Sequence, residues 1–210
     1  GMDAWKGSLD LLAGREPNQF VGYDTLETQA TVTALLANEQ LVDKVSEGEA
    51  ALVVLDVTPF YAESGGQVGD TGLLYSDAVT FEVHNTMKSA GDIILMSGEV
   101  TQGTLTLGST VTASVNETAR LSTMRNHTAA HLLQAALRKV LGNHVEQAGQ
   151  MVNDKVVRFD FTHFSALTPE ELSQVEELVN QWILEGIMTD IREMPMEEAK
   201  KLGAMALFGE

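Results

Sequence analysis

Apolar residues follow two different rhythms along this chain. From Phe20 to about Asn116 they come in short runs, at 28–36, 51–57, 79–83, 93–96 and Thr110–Val115. These runs are rich in Val, Ile, Thr and Phe, and glycines at 48, 72, 91, 98 and 103 punctuate them. Many short β-favouring runs at close spacing predict a small barrel or sandwich. Beyond Asn116 the period lengthens. Asn116 is a candidate N-cap, and 129–141 is a strong helix former that stops at Gly142. Two strand-like runs follow, 147–152 and 155–161, joined by the turn former Asn153-Asp154. Thr168-Pro169-Glu170-Glu171 then supplies a cap, a proline at the first helical position and an acid three residues after the cap. Leu172, Val175, Leu178, Val179, Trp182 and Ile183 form one stripe of the helix that starts there. A strand at 187–192 and a short helix near 197–202 complete the pattern. The fold class predicted is α+β: an N-terminal small β-barrel at 21–116, after a connector at 1–20, then an α+β domain at 117–210 with helices packed on an antiparallel sheet.

Composition narrows the class of function. With 210 residues and 44% apolar content the chain is long and apolar enough to bury a core. There is no apolar run long enough to span a membrane and no charged-then-apolar leader, so a cytoplasmic location is the expectation, with Gly1-Met2 read as a remnant of tag removal. The absence of cysteine excludes disulfides and thiolate nucleophiles within these residues. A net charge of −17 argues against generic nucleic-acid binding, because phosphate contacts need Lys and Arg. An acidic module that touches only the end of an RNA, while other domains grip its body, remains compatible with it.

Few residues carry chemistry on spacing alone. His127 and His131 stand four apart, which on a helix puts both imidazoles on one face about a turn apart, as a shared metal requires. Zinc takes four ligands, or three plus water, so this is half a site, and His84, His144 and His163 form no second spaced pair. Ser64-Gly65-Gly66-Gln67 lets backbone approach a ligand and adds an amide donor and acceptor, although its composition favours a glycine-rich hairpin of the barrel. Asp160 alternates with apolar neighbours on a strand, where it faces a site or pairs with Arg158 and its surroundings. Arg120 and Arg125, with Lys88 and Arg138-Lys139, are the candidate phosphate contacts, set against ordinary surface charge.

Several longer motifs occur together in order. Phe60-Tyr61-Ala62-Glu63-Ser64-Gly65-Gly66-Gln67-Val68-Gly69-Asp70-Thr71-Gly72 resembles the signature stretch of the editing region of alanyl-tRNA synthetases. Arg125-Asn126-His127-Thr128-Ala129-Ala130-His131-Leu132-Leu133 resembles that family's first zinc-ligand segment. Gln147-Ala148-Gly149, Arg158-Phe159-Asp160-Phe161-Thr162-His163 and the ending Gly203-Ala204-Met205-Ala206-Leu207-Phe208-Gly209-Glu210 are similar as well. The resemblance implies a barrel joined to an editing domain shared with threonyl-tRNA synthetases. It implies hydrolysis of mischarged Ser-tRNA(Ala) and Gly-tRNA(Ala), with zinc as cofactor, and as partners the acceptor end of tRNA(Ala) and the rest of a synthetase chain that carries the ATP site upstream. His127 and His131 match the family's first two zinc ligands; the other two, from a Cys-x-x-x-His segment, are expected soon after Glu210. On the same basis Gln67, Gly66 and Thr128 are expected at the catalytic centre, and Ser64, Gly65, Arg120, Arg125 and Asp160 against substrate or tRNA. Two alternatives stand beside this reading. A free-standing trans-editing hydrolase shares the chemistry, but Trp5-Lys6-Gly7-Ser8 looks like the synthetase. A non-catalytic module that docks the tRNA acceptor end needs no finished metal site.

Overall fold

The computed structural model describes residues 9–89, 91–186 and 194–202, and its chain divides into two compact units. One comprises the chain up to Ser64 together with Val68–Ser122; the other comprises Gly65–Gln67 and the chain from Thr123 onward.

The first unit is built around a closed antiparallel barrel, with one short parallel strand pair apart from it. Its strands are β1 (Gln19–Phe20), β2 (Glu27–Ala37), β3 (Gln40–Leu41), β4 (Lys44–Ser46), β5 (Ala50–Leu55), β6 (Val57–Thr58), β7 (Gly72–Ser76), β8 (Val79–Lys88), β9 (Ile94–Thr106) and β10 (Thr110–Val115). Six of them run in the order β10-β7-β8-β9-β5-β2, and β10 pairs back onto β2 through Thr110↔Thr31 to Ser114↔Glu27. Closure removes the unpaired edges that an open sheet would leave. Inward-pointing Ala30, Val32, Val53, Leu55, Phe60, Leu74, Phe81, Val83, Met96 and Val111 fill the interior. β5 is apolar without alternation because it is buried on both faces. Its Leu52 and Val54 pack outward with Leu36, Met87, Leu95 and Leu12, the last from a 3-10 turn at Asp10–Leu12. Asn18 fastens the same N-terminal stretch, donating to the carbonyls of Leu55 and Ile94 and accepting from the Ile94 N–H at 2.8 Å. Gly98 stands opposite Val83 in the β8–β9 register, and a Cβ there would run into the carbonyl of Glu82.

The second unit places helices against a hairpin, as the change of period predicts. Helix α1 (Glu117–Leu141) starts within the first unit and enters the second at Thr123; it begins at Asn116, whose Oδ1 accepts from the Ala119 N–H at 3.0 Å. Strands β11 (Gln147–Val152) and β12 (Val157–Phe161) pair antiparallel, and the Asn153 side chain closes their turn by accepting from Lys155 and Val156 N–H. Helix α2 (Pro169–Glu185) carries the complete capping box, with Thr168 and Glu171 exchanging side-chain and backbone bonds, and ends at Gly186 in the left-handed region. Val175, Leu178, Val179 and Trp182 of α2 pack on Ala136 and Leu137 of α1 and on Phe159 and Phe161 of β12. The predicted stripe is wider than the buried one, since Leu172 and Ile183 at its margins are exposed. The short helix α3 spans Met196–Lys201. The strand expected at 187–192 lies outside the described residues.

Candidate functional site

The glycine-rich segment is not a hairpin of the barrel. Gly65–Gln67 joins the second unit, where Gln67 forms a parallel bridge with Val152 of β11 and the Gly66 carbonyl accepts from the Val152 N–H at 2.9 Å. Gln150 donates its side-chain amide to the Gly65 carbonyl at 2.5 Å. The two glycines permit this approach. Gly66 has φ +82°, and a Cβ on it would stand 2.6 Å from the Gln150 carbonyl oxygen. Both glycines turn in left-handed conformations immediately before Gln67, the residue that makes the bridge.

The same docking carries Gln67 to helix α1, where its Oε1 lies 2.5 Å from Nδ1 of His127. A glutamine carbonyl oxygen accepts only, so Nδ1 of His127 is the donor in this bond. His131 stands one turn on, its ring centroid 4.9 Å from that of His127 and tilted by 31°. The sequence spacing therefore delivers two neighbouring imidazoles, and a carboxamide fixes the tautomer of one, as outer partners of metal-bound histidines do. Asn126, beside His127, donates to the Asn153 carbonyl at 2.7 Å and ties this stretch of helix to the β11–β12 turn. Thr128 lies between the histidines in sequence and directs its hydroxyl to the Met124 carbonyl of its own helix at 3.2 Å.

The remaining predicted residues are not all brought to this point. Ser64 is exposed at the end of the first unit. Arg120 belongs to the barrel unit, and its guanidinium is spent internally. Nε and Nη2 donate to Asp70, Nη1 to the Gly22 carbonyl at 2.7 Å, and Nη2 also to the Pro59 carbonyl at 2.6 Å. Both members of the ion pair are buried, with side chains 11% and 8% exposed, and Asp70 further accepts from the Tyr61 N–H at 2.7 Å. Arg125 is exposed on α1. Asp160 is exposed on β12, faces Gly149 across the hairpin and takes an N–H from Arg158 at 3.2 Å.

Two clusters escape sequence spacing. Glu82 and His84 on β8 and Glu99 on β9 bring one potential ligand atom each to within 4.8 Å of one another. The alternation Glu82-x-His84 hints at one face, but Glu99 is its neighbour only through the β8–β9 register. His144 and His163 are likewise distant in sequence, yet Nε2 of one lies 2.9 Å from Nδ1 of the other where the hairpin begins and ends. Among the described residues, no helix is long and apolar enough to cross a membrane.

Known proteins agree with the motifs. The family described as tRNA synthetases class II (A) matches residues 6–119. Over 192 residues, 91% of this chain, the sequence is 54% identical to an alanine–tRNA ligase of Coxiella burnetii (strain Dugway 5J108-111) and 50% identical to one of Acetivibrio thermocellus. An alanine–tRNA ligase of Polynucleobacter asymbioticus is 48% identical over 195 residues, 92% of the chain. The chain spans 22% of the length of each of these relatives. Since the family match covers more than half of its residues, the chain belongs to the class II (A) tRNA synthetase family.

Proposed function

We propose that the chain is the editing region of an alanine–tRNA ligase and hydrolyses Ser-tRNA(Ala) and Gly-tRNA(Ala). The observation that carries this is the meeting of Gln67 with His127, which joins the Gly-Gly-Gln turn to the histidine pair. The need for such a site is physical. A pocket for alanine rejects serine weakly, since an added hydroxyl is poorly excluded by an apolar cavity, and it cannot exclude the smaller glycine by size. A second site must therefore cleave the wrong ester.

The histidine pair fits a zinc ion as two of its ligands, two imidazoles neighbouring on one helix face. When bound, zinc would supply charge that orients the substrate or its attacking water. The chain's own groups do the positioning. Gln67 holds His127 in one tautomer through Oε1 and presents its carboxamide N–H beside the ring. Gly66 lets the turn pack closely on β11 and so sets Gln67 beside His127. Thr128, Ser64, Gly65, Arg125 and Asp160 are assigned to the approach of the aminoacyl end, and Arg120 is assigned to the frame. In the reaction, water adds to the aminoacyl carbonyl, the ester C–O bond breaks, the proton passes to the leaving 3′-terminal oxygen, and free amino acid and tRNA result.

Gln67→Ala tests this in the ligase that carries the region. Deacylation of Ser-tRNA(Ala) should fall about 10–100-fold, the scale on which loss of an outer partner to a metal-bound histidine acts, while alanylation stays unchanged. An unaltered deacylation rate removes Gln67, and the site built around it, from the mechanism.

A further inference from the structure

The outer face of the barrel carries two carboxylates whose charge the surrounding strands do not balance. Phe81 and Val83 of β8 and Val100 of β9 fill the interior, so alternation turns Glu82, His84 and Glu99 outward. Glu82 stands directly opposite Glu99 in the β8–β9 register. Like charges so placed repel and weaken a strand pair. On the outer flanks the neighbours are Leu73 of β7 beside Glu82 and Ala50 of β5 beside Glu99. Two positions away along the strands lie Thr80 and His84 on β8, and Ser97 and Thr101 on β9. Of these neighbours only His84 can carry positive charge. Among the described residues, no lysine or arginine pairs with either glutamate.

A bulge brings the histidine in. The register runs Val83↔Gly98 and then Asn85↔Ser97, which leaves His84 without a partner of its own on β9. Such an extra residue bends its strand and re-aims the side chain. Nε2 of His84 lies 3.7 Å from a Glu82 carboxylate oxygen, and one ligand atom from each of Glu82, His84 and Glu99 falls within 4.8 Å of the others. Ligands around a tetrahedral zinc stand about 3.3–3.6 Å apart. The His84 and Glu82 side chains are about half exposed, so small torsions close the remaining distance. An imidazole with two carboxylates is a ligand set for zinc and related transition ions, whereas carboxylates alone favour calcium or magnesium.

We propose that Glu82, His84 and Glu99 bind one zinc ion, with water in the fourth position, and that the ion clamps β8 to β9 at the bulge. The site belongs to the first unit, His127 and His131 to the second, and it does not depend on the editing reading.

The test titrates zinc into this chain carrying His127→Gln and His131→Gln, which removes the other histidine pair, with calorimetry and thermal unfolding as readouts. One zinc per chain should bind and raise the melting temperature. Adding His84→Gln or Glu99→Gln should weaken zinc binding by at least about 10–100-fold, the scale for losing even an outer partner of a metal ligand, and abolish that rise. Without zinc, Glu99→Gln should melt no lower than its parent, because it relieves the repulsion across the strands. In the unsubstituted chain the NMR signals of the His84 ring should move on zinc addition, and calcium should not reverse the change. Zinc binding that survives both His84→Gln and Glu99→Gln overturns the site. So does a His84 ring that zinc leaves unmoved. Calcium displacing zinc on equal terms also overturns it, reducing the cluster to an acidic patch.

Discussion

Replacing Arg120 with alanine separates a framework role from an RNA-binding one. The guanidinium closes a buried knot: it neutralises Asp70 and caps the carbonyls of Gly22 and Pro59, which come from two further segments of the barrel unit. In Arg120→Ala the Asp70 carboxylate keeps the Tyr61 N–H but loses its counter-charge while 8% exposed. Removing one partner of a buried pair costs about 3–5 kcal/mol, because the remaining charge is stranded. For a unit of this size that corresponds to a fall in melting temperature of roughly 10–20 °C. Arg120→Lys should recover only part of it, since an ammonium cannot reach in the several directions a planar guanidinium does. The double variant Arg120→Ala with Asp70→Ala should lose less than the sum of the two single losses, which thermal and urea unfolding followed by circular dichroism would measure. A stability loss under about 1 kcal/mol for Arg120→Ala, accompanied by weakened RNA binding, would refute this reasoning and restore Arg120 to the phosphate contacts.

Two further substitutions probe the parts that hold the site. Gly66→Ala adds a Cβ that meets Gln150 at 2.6 Å on a backbone with φ +82°, so it should detach the 65–67 segment from β11 and slow deacylation at least as much as Gln67→Ala; amide exchange at Val152, whose N–H bonds the Gly66 carbonyl, should rise with it. Thr168→Ala removes one half of the α2 capping box and should lower the stability of the second unit by about 1 kcal/mol, read by thermal unfolding, without changing RNA binding.

Local signals in this chain are read correctly wherever one element settles them. The strand at Thr110–Val115, the cap at Asn116, the stop at Gly142, the hairpin around Asn153 and the capping box at Thr168 all follow from propensity, period and short-range hydrogen bonding. The His127/His131 pair belongs to the same class, because helical geometry alone makes residues four apart neighbours. Glycine-rich 64–72 marks the opposite limit. Its composition describes a turn, and Gly65 and Gly66 do turn, but against β11 of the second unit rather than within a hairpin of the barrel. The segment Gly72–Ser76, too short and too mixed to stand out as a strand, becomes β7 only through its partners β8 and β10.

The sequence by itself determined the two rhythms, the α+β class, the helix ends and the histidine pair, all consequences of contacts within a few residues. Tertiary structure decided three things: that Gln67 reaches His127 across sixty positions, that Arg120 turns inward to Asp70, and that His144, His163 and Phe164 stack. Each depends on strand register or chain closure, which bring together residues whose separation along the chain carries no trace of their meeting.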